Sequence, residues 1–325
     1  MKKRVLSILL VALMVMGLCT VAFAADPAVK VTFTNTNEDV DSPAETFTFS
    51  EFTEVSIKNG GTNAAFPATK PTIASAAFTE GAATSSVSAT ITLPEFPDIG
   101  IYTYSFTQVD NKTAGVTYDN KTYYLVVTVQ IPAEGGEPVV TAVHCEGATP
   151  VDGVVPPNGE DKTGEITNKY ESGTLAVTKE VKGNMGDKSK YFDVTVTFTP
   201  ASGETINSTI TYTGGQYAQA VTVANNTAKI QVKNGDTVTF TNVPEGVTWK
   251  VEEADYTSDG YDAAEYSTQT AAMTAGGEAT CTITNNKDTT VDTGINMDTI
   301  PYIMIALFVC LAAAVVVIRK RRIAE

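Results

Sequence analysis

Length, charge and composition already exclude several classes of protein. The chain has 325 residues, with 37 acidic and 22 basic side chains, one histidine and four cysteines. Between residues 25 and 293, 15 lysines stand against 35 acids, which gives a net charge of −20. A surface this acidic repels phosphate backbones, which excludes nucleic-acid binding. A single histidine without a Cys-x-x-Cys motif supports neither a zinc site nor a Ser-His-Asp triad, so we expect no metal and no cofactor.

The first 24 residues have the layout of a secretory signal peptide. Three basic residues precede an apolar run over 5–21, and the small-residue pattern Ala22-Phe23-Ala24 closes it. Such a segment is removed during export, so we expect the mature chain to begin at Ala25, outside the cytoplasm.

Residues 25–170 have the composition of an all-β domain, rich in Thr, Val, Tyr and Phe and broken at short intervals by turn residues. Alternating apolar and polar positions predict half-buried strands. The clearest of these lie at 29–34, 45–49, 88–93 and 122–131. Two stretches rich in Gly, Pro and polar residues, 57–77 and 135–164, predict long surface loops.

A second β-domain is predicted over 171–287, because a fresh alternating strand at 174–179 follows the turn-like Tyr170-Glu171-Ser172-Gly173. No stretch between the two termini shows the period of an amphipathic helix. The predicted fold class is all-β, with two tandem immunoglobulin-like β-sandwich domains.

Three polar side chains of the second domain, Lys179, Glu253 and Asn285, each end a row of alternate apolar residues. The period of two places each of them on the face that points into the core. An isolated charge buried there would be very costly, so we expect the three groups to meet.

Their chemistry is specific. A lysine desolvated among apolar side chains becomes a neutral amine nucleophile, and a buried glutamate becomes a proton donor. Glu253 could then polarise the side-chain carbonyl of Asn285 while Lys179 attacks it and ammonia leaves, which forms an intramolecular isopeptide bond. The alternative is a buried Lys179–Glu253 ion pair, hydrogen-bonded to Asn285 without a covalent bond.

The first domain repeats this pattern in altered form. Its closing Ile166-Thr167-Asn168 matches Ile283-Thr284-Asn285, but Asn35 and Gln108 stand where we match the lysine and the glutamate. Neither substitute can do the chemistry, whereas both can hydrogen-bond to each other and to Asn168. We therefore predict a degenerate triad of Asn35, Gln108 and Asn168 without a cross-link.

The C-terminus predicts a membrane anchor. An almost unbroken apolar run over 300–318 is long enough to cross a bilayer, and the basic tail over 319–325 places that end in the cytoplasm. The linker over 288–299 contains Val291-Asp292-Thr293-Gly294. This order of polar motif, apolar span and basic tail resembles the sorting signal that sortases read on Gram-positive surface proteins. The family's usual motif is LPxTG, and Thr290 and Val291 depart from it, so an ordinary single-pass anchor is the alternative.

The second domain also carries a longer sequence pattern. It consists of Leu175-x-Val177-x-Lys179-x-Val181-x-Gly183-Asn184-x-Gly186-Asp187, Trp249-x-Val251-x-Glu253 and Ile283-Thr284-Asn285. This pattern resembles the isopeptide-forming domains of Gram-positive pilins and of collagen-adhesin B-type repeats, and the first domain resembles the N-terminal module of two-domain streptococcal-type major pilins.

The resemblance implies a structural cell-surface pilin rather than an enzyme. A sortase would cleave between Thr293 and Gly294 and join the chain to other pilin subunits or to peptidoglycan, so the membrane would hold it only before processing. The family's acceptor lysine corresponds to Lys162, with Lys169 and Lys182 as the nearest competitors. The alternative is a monomeric wall-anchored adhesin or stalk that binds a host or matrix ligand.

Overall fold

The computed structural model describes residues 27–81, 83–133, 135–148, 165–289 and 300–323. The predicted signal peptide, Lys162 and the sorting motif with Thr293 and Gly294 lie outside these described residues.

The part of the chain up to Tyr170, which we call the first module, is built from strands. Their bounds are β1 Ala28–Asn35, β2 Glu45–Phe47, β3 Thr53–Lys58, β4 Thr72–Ile73, β5 Ala76–Phe78, β6 Ser85–Thr92, β7 Gly100–Thr107, β8 Val116–Thr117, β9 Thr122–Gln130, β10 Val139–Ala148 and β11 Glu165–Tyr170.

These strands form a sandwich of a five-stranded sheet in the order β4-β6-β1-β11-β8 and a four-stranded sheet in the order β10-β9-β7-β3, beside the β2-β5 pair. Alternate residues of each strand point into an aromatic core in which the rings of Phe33, Phe47 and Phe78 meet edge to face, the preferred arrangement of aromatic pairs. Two predicted loops are partly wrong, because 57–77 contains β4 and most of β5, and 135–164 contains β10.

The second module, from Ser172 to Asn286, follows directly. Its strands are β12 Ser172–Lys182, β13 Phe192–Thr199, β14 Thr211–Gly214, β15 Tyr217–Thr222, β16 Thr227–Val232, β17 Thr237–Pro244, β18 Thr248–Glu253, β19 Glu265–Tyr266, β20 Thr270–Ala272 and β21 Glu278–Asn286.

A six-stranded sheet in the order β15-β14-β17-β12-β21-β19 faces a four-stranded sheet in the order β16-β13-β18-β20. Trp249, Phe198 and Phe240 fill the space between them and are buried. The predicted all-β class with two tandem sandwiches is confirmed. Our domain bounds, 25–170 and 171–287, remain a proposal, with the change from one sandwich to the next between Tyr170 and Ser172.

In both modules the first and last strands are parallel neighbours in one sheet. β1 pairs with β11, and β12 pairs with β21 over nine consecutive residues without a bulge. Parallel neighbours need a long connection, which the rest of each module supplies. The chain therefore enters and leaves each module at opposite ends of the same strand pair.

The two modules are joined by more than the peptide chain. Ala114 of the first module is buried in the core of the second, and its backbone N–H donates to the carbonyl of Thr205 at 2.9 Å. The hydroxyl of Tyr170 donates to Oδ1 of Asn242 at 2.8 Å, and both side chains are buried. The last strand of the first module is thus anchored to the sheet that contains β12.

Helix α1, Ile300–Ile323, is the one α-helix among the described residues. Its segment Tyr302–Lys320 is long and apolar enough to cross a membrane, and its side chains are exposed rather than packed against the modules. The helix matches the predicted anchor over 300–318, although it extends into the basic tail as far as Ile323.

Candidate functional site

The second module brings Lys179, Glu253 and Asn285 together between its two sheets. Lys179 lies on β12 opposite Ile283 of β21, so Asn285 follows two residues further along the same face. The long lysine side chain can therefore extend along the strand direction to reach the amide, while Glu253 approaches from β18 in the facing sheet.

The contacts are direct. Nζ of Lys179 donates to Oδ1 of Asn285, and it lies 3.1 Å from Oε1 of Glu253. The lysine and glutamate side chains are both 0% exposed, and Asn285 is 1% exposed. An amine, an amide carbonyl and a carboxyl group thus share a site that solvent does not reach.

Burial sets the protonation of the pair. Desolvation lowers the pKa of Lys179, and the negative charge of Glu253 opposes this only in part. Desolvation likewise raises the pKa of Glu253 against the opposing effects of Lys179 and a hydrogen bond to Asn285. Both shifts favour a neutral amine beside a protonated carboxyl group, because a low-dielectric site disfavours both charges. That state is the one in which an amine is nucleophilic and a carboxyl group can donate a proton.

An aromatic group closes the site on one side. Nζ of Lys179 lies 4.3 Å from the ring centroid of Phe192, and that ring packs edge to face against Tyr256 and Tyr261. Together with Val181 these rings form a small hydrophobic cluster beside the main core. The cluster helps keep the three polar groups dry, which sustains the pKa shifts.

In the first module the structure brings Gln108 and Asn168 together. Nε2 of Gln108 donates to Oδ1 of Asn168 at 2.6 Å, and Nδ2 of Asn168 donates to Oε1 of Gln108 at 3.0 Å. Both side chains are buried. Two neutral amides thus satisfy each other where the second module has a carboxyl group and an amide.

Asn35 does not join them, and its place in the predicted triad is wrong. Its Nδ2 donates to the carbonyl of Val40 at 2.7 Å, and its Oδ1 accepts the N–H of Asn37 at 3.1 Å, so the side chain stabilises a local turn. The reason is the register, since Asn35 lies opposite Tyr170, two residues beyond Asn168.

Val31 occupies the place that corresponds to Lys179. It lies opposite Ile166, two residues before Asn168, as Lys179 lies opposite Ile283, two residues before Asn285. Val31 is 0% exposed. Sequence reasoning missed it because a buried valine in a strand carries no chemical signal, and the strand pairing had to be known before the positions could be matched.

Two cysteines and the two competing lysines have ordinary surroundings. Cys145 and Cys281 are free and buried in different modules, and burial raises the pKa of their thiols to about 12 and about 11, which is typical of packing residues. Lys169 and Lys182 form surface ion pairs, with Glu171 at 2.8 Å and Glu180 at 3.1 Å. Among the described residues no cluster of His, Cys, Asp or Glu could hold a metal.

The chain is similar to known proteins over most of its length. A curated protein named pilin, from Streptococcus pyogenes serotype M1, is 30% identical over 248 residues, which cover 70% of this chain and 69% of that protein. A family model described as a domain of unknown function, DUF7601, matches residues 173–287.

Solved structures extend the similarity to the fold. The crystal structure of the major pilin from Streptococcus pyogenes matches with a TM-score of 0.55 at 22% identity, over 82% of this chain and all of that one. A mutant of that pilin matches with a TM-score of 0.54 at 23% identity, over 82% and 99% of the two chains. At this identity the structures show a shared architecture of strands.

Proposed function

Since the chain belongs to the pilin family, whose members are structural subunits of pili, we propose that it is a covalently polymerised pilus subunit locked by an internal isopeptide bond. The bond joins Nζ of Lys179 to Cγ of Asn285, with Glu253 as the proton-transfer group. A sortase links the subunit to its neighbours, or to peptidoglycan, through Thr293.

One observation carries the proposal of the bond, namely the dry contact of Lys179, Glu253 and Asn285. A buried ion pair alone would be poor evidence for stability, because desolvation offsets much of the attraction between its charges. The same desolvation is useful for a reaction that needs both partners neutral. The surroundings of the three groups therefore favour bond formation over the ion-pair alternative.

The reaction balances without any added reagent. The neutral amine of Lys179 attacks Cγ of Asn285, and protonated Glu253 hydrogen-bonds to the amide oxygen as it gains negative charge. The attacking nitrogen loses one proton and Nδ2 gains one, with the glutamate carboxyl group as the carrier. A C–N bond forms, the bond from Cγ to Nδ2 breaks, and ammonia leaves. The carboxyl group ends as it began.

The position of the bond suits a load-bearing fibre. β12 and β21 are the first and last strands of the second module and run parallel. Tension on the two ends of the module would shear this pair, and a covalent bond between the strands would take that load in place of their hydrogen bonds.

The C-terminal segment supplies the means of polymerisation. In our proposal α1 holds the chain in the membrane until a sortase cleaves between Thr293 and Gly294. The resulting acyl group is passed to an amine on the next subunit, and Lys162 is our candidate for that amine. The released subunit then belongs to the cell wall or the pilus and no longer to the membrane.

Intact-mass measurement of the region from Ala25 to Thr293 tests the bond. We expect the mass to fall short of the sequence mass by one ammonia, and Glu253→Ala to restore the full mass. Glu252→Ala is the matched control, because the neighbouring glutamate is half exposed and pairs with Lys250 at the surface. A full-length mass for the unaltered region would rule out the bond.

Expression in a sortase-bearing Gram-positive host tests the polymerisation. We expect a ladder of heat- and detergent-resistant multimers that disappears with Lys162→Ala and persists with Lys169→Ala. A single wall-linked band from the unaltered chain would contradict a pilus subunit, and a ladder that survives Lys162→Ala would move the acceptor to another lysine.

A further inference from the structure

The motif Gly183-Asn184-x-Gly186-Asp187 has so far no role. Residues 183–186 form a tight turn directly after β12, and we call this turn the clasp turn. Residues 287–289, which follow β21, are called the exit segment. The clasp turn packs against the exit segment. The N–H of Lys287 donates to the carbonyl of Lys182 at 3.1 Å, and the N–H of Met185 donates to the carbonyl of Lys287 at 3.0 Å. The two strand ends are thus tied together beyond the last residue of the ladder.

The side chain of Asn184 extends this pairing. Its Nδ2 donates to the carbonyl of Thr289 at 2.8 Å, and its Oδ1 accepts the N–H of Thr289 at 2.9 Å. Its own backbone N–H donates to the carboxylate of Asp288 at 2.8 Å. One amide side chain thereby matches both backbone groups of a single residue, which fixes the position of the exit segment along the strand axis.

Gly183 makes the contact close. Its φ is +90°, in the left-handed region, and a Cβ there would collide with the backbone of Lys287. Only glycine combines that conformation with so near an approach. The exit segment therefore fits against the clasp turn in one position.

That position matters because β21 could pair with β12 in a shifted register. A slip of one residue would turn its apolar row to solvent and is strongly disfavoured. A slip of two residues keeps Cys281 and Ile283 facing the core, so hydrophobic burial discriminates against it far less. It would nevertheless displace Asn285 by about 7 Å from Nζ of Lys179, since a strand rises about 3.3 Å per residue. The amine would then be out of contact with its target.

We propose that the clasp turn sets the register of β21 and so positions Asn285 for attack by Lys179. The inference rests on the proposed isopeptide bond. Gly183 and Asn184 act here as positioning residues, because they touch the exit segment and none of the reacting atoms. The sequence separation of the reacting strands makes such a device useful, since the bond forms only after a long loop has closed in the right alignment.

The test follows bond formation and folding separately. The region from Ala25 to Thr293 is purified unfolded in urea, its unreacted state is checked by intact mass, and it is diluted to fold. Loss of ammonia is then followed by mass. Fluorescence of Trp249 reports folding of the second module, because it is the only tryptophan in the sequence and is 1% exposed.

The variants are Gly183→Ala and Asn184→Ala, with Gly203→Ala as the matched control. Gly203 has a φ of +84°, close to that of Gly183, but no atom lies within 4 Å of its added Cβ. Both glycine variants thus carry the same backbone strain, and only Gly183→Ala disturbs the exit segment. Asn184→Ala removes two hydrogen bonds without placing an L-residue at a positive φ.

We expect folded Gly183→Ala and Asn184→Ala to lose ammonia more slowly than folded Gly203→Ala, by on the order of tenfold or more. If either clasp variant fails to bury Trp249, the other is used. Bond formation in the folded clasp variants as fast as in the control would overturn the register role alone. Folding of the unaltered region without any loss of ammonia would overturn the bond and the register role together.

Discussion

The two modules close in the same way and differ at the point of closure. Each has parallel first and last strands and a buried asparagine near the end of the last strand, Asn168 or Asn285. In the second module this amide meets Lys179 and Glu253, whereas in the first it meets Gln108, and Val31 takes the place of the lysine. The same architecture thus accommodates either of two sets of residues. We call Lys179, Glu253 and Asn285 the reactive set, and Val31, Gln108 and Asn168 the inert set.

The inert set has an energetic advantage. Gln108 and Asn168 exchange two hydrogen bonds and bury no ionisable group, so little desolvation opposes folding. The reactive set buries an amine and a carboxyl group, which is unfavourable until the groups are neutral or joined. Under our proposal the isopeptide bond offsets this cost in the second module.

If subunits are linked through Lys162 and Thr293, as we propose, the path of the tension explains why an internal bond is useful in the second module. Tension that enters at Lys162 passes along β11, through residues 170–172 and into β12, and leaves through Asn285 and the exit segment. Most of the first module lies beside this path rather than on it. The second module lies across the path, so the bond is expected there.

Replacement of the reactive residues of the second module by those of the first module should have the largest effect on stability. We expect Lys179→Val with Glu253→Gln to fold without the bond and to lose about 4–5 kcal/mol of stability, the entropy of closing a loop of roughly 100 residues. Denaturant unfolding beside intact mass measures both. Glu252→Gln serves as the control, and an unchanged midpoint would show that the bond contributes nothing to stability.

The reverse conversion tests the register. We expect Val31→Lys with Gln108→Glu to form a bond to Asn168, seen as the loss of a second ammonia. Asn35→Lys with Gln108→Glu should form none, because residue 35 lies beyond Asn168 on the paired strand. Bond formation in the second pair but not in the first would show that our match of positions is wrong.

Loss of one hydrogen bond at the junction between the modules should have a smaller effect on stability. Tyr170→Phe removes the hydrogen bond to Asn242, whose Nδ2 remains bound to the carbonyl of Asp41. We expect a loss of about 1–2 kcal/mol, since a buried acceptor is left unpaired. If this contact couples the modules, the unfolding of Tyr170→Phe should separate into two transitions. Trp249 fluorescence follows the second module, and circular dichroism follows both. Tyr217→Phe, a site within the second module, is the control.

The smallest effect concerns pH and uses an unreactive Asn285→Ala variant. Because the pKa of Lys179 is lowered from its ordinary 10.5 and that of Glu253 is raised from its ordinary 4.5, we expect folding to move a proton from the lysine to the glutamate. No proton is exchanged with solvent between these values, so the unfolding free energy should be flat there. Below the plateau the unfolded chain binds one more proton and stability falls with falling pH. Above the plateau the unfolded chain binds one fewer, and stability falls with rising pH.

Addition of Glu253→Gln to that variant is the matched control for the plateau. The lysine then has no acid to receive its proton, and its lowered pKa alone should make stability rise with pH up to 10.5. A slope in the first variant as steep as in the second would mean that Glu253 does not take up the proton.

Much of the fold could be predicted from local patterns. Alternation identified β1, β6, β9 and β12 because, over most of its length, each buries every second residue more deeply than the residues between. The same reasoning missed β4, β5 and β10, two of them very short and the third within a stretch rich in Gly and Pro. β4 and β5 form because β6 and β2, which are distant in sequence, offer them hydrogen bonds, whereas β10 pairs with β9, the strand directly before it.

The sequence by itself determined that Lys179, Glu253 and Asn285 meet in the core of the second module, because a lysine, a glutamate and an asparagine at the ends of apolar rows can be buried only together. It also determined the membrane helix, whose apolar length is a local property. Only the tertiary structure decided that Val31 rather than Asn35 corresponds to Lys179. Strand register depends on which residues lie opposite each other across the sheet, and a period of two within one strand carries no information about that alignment.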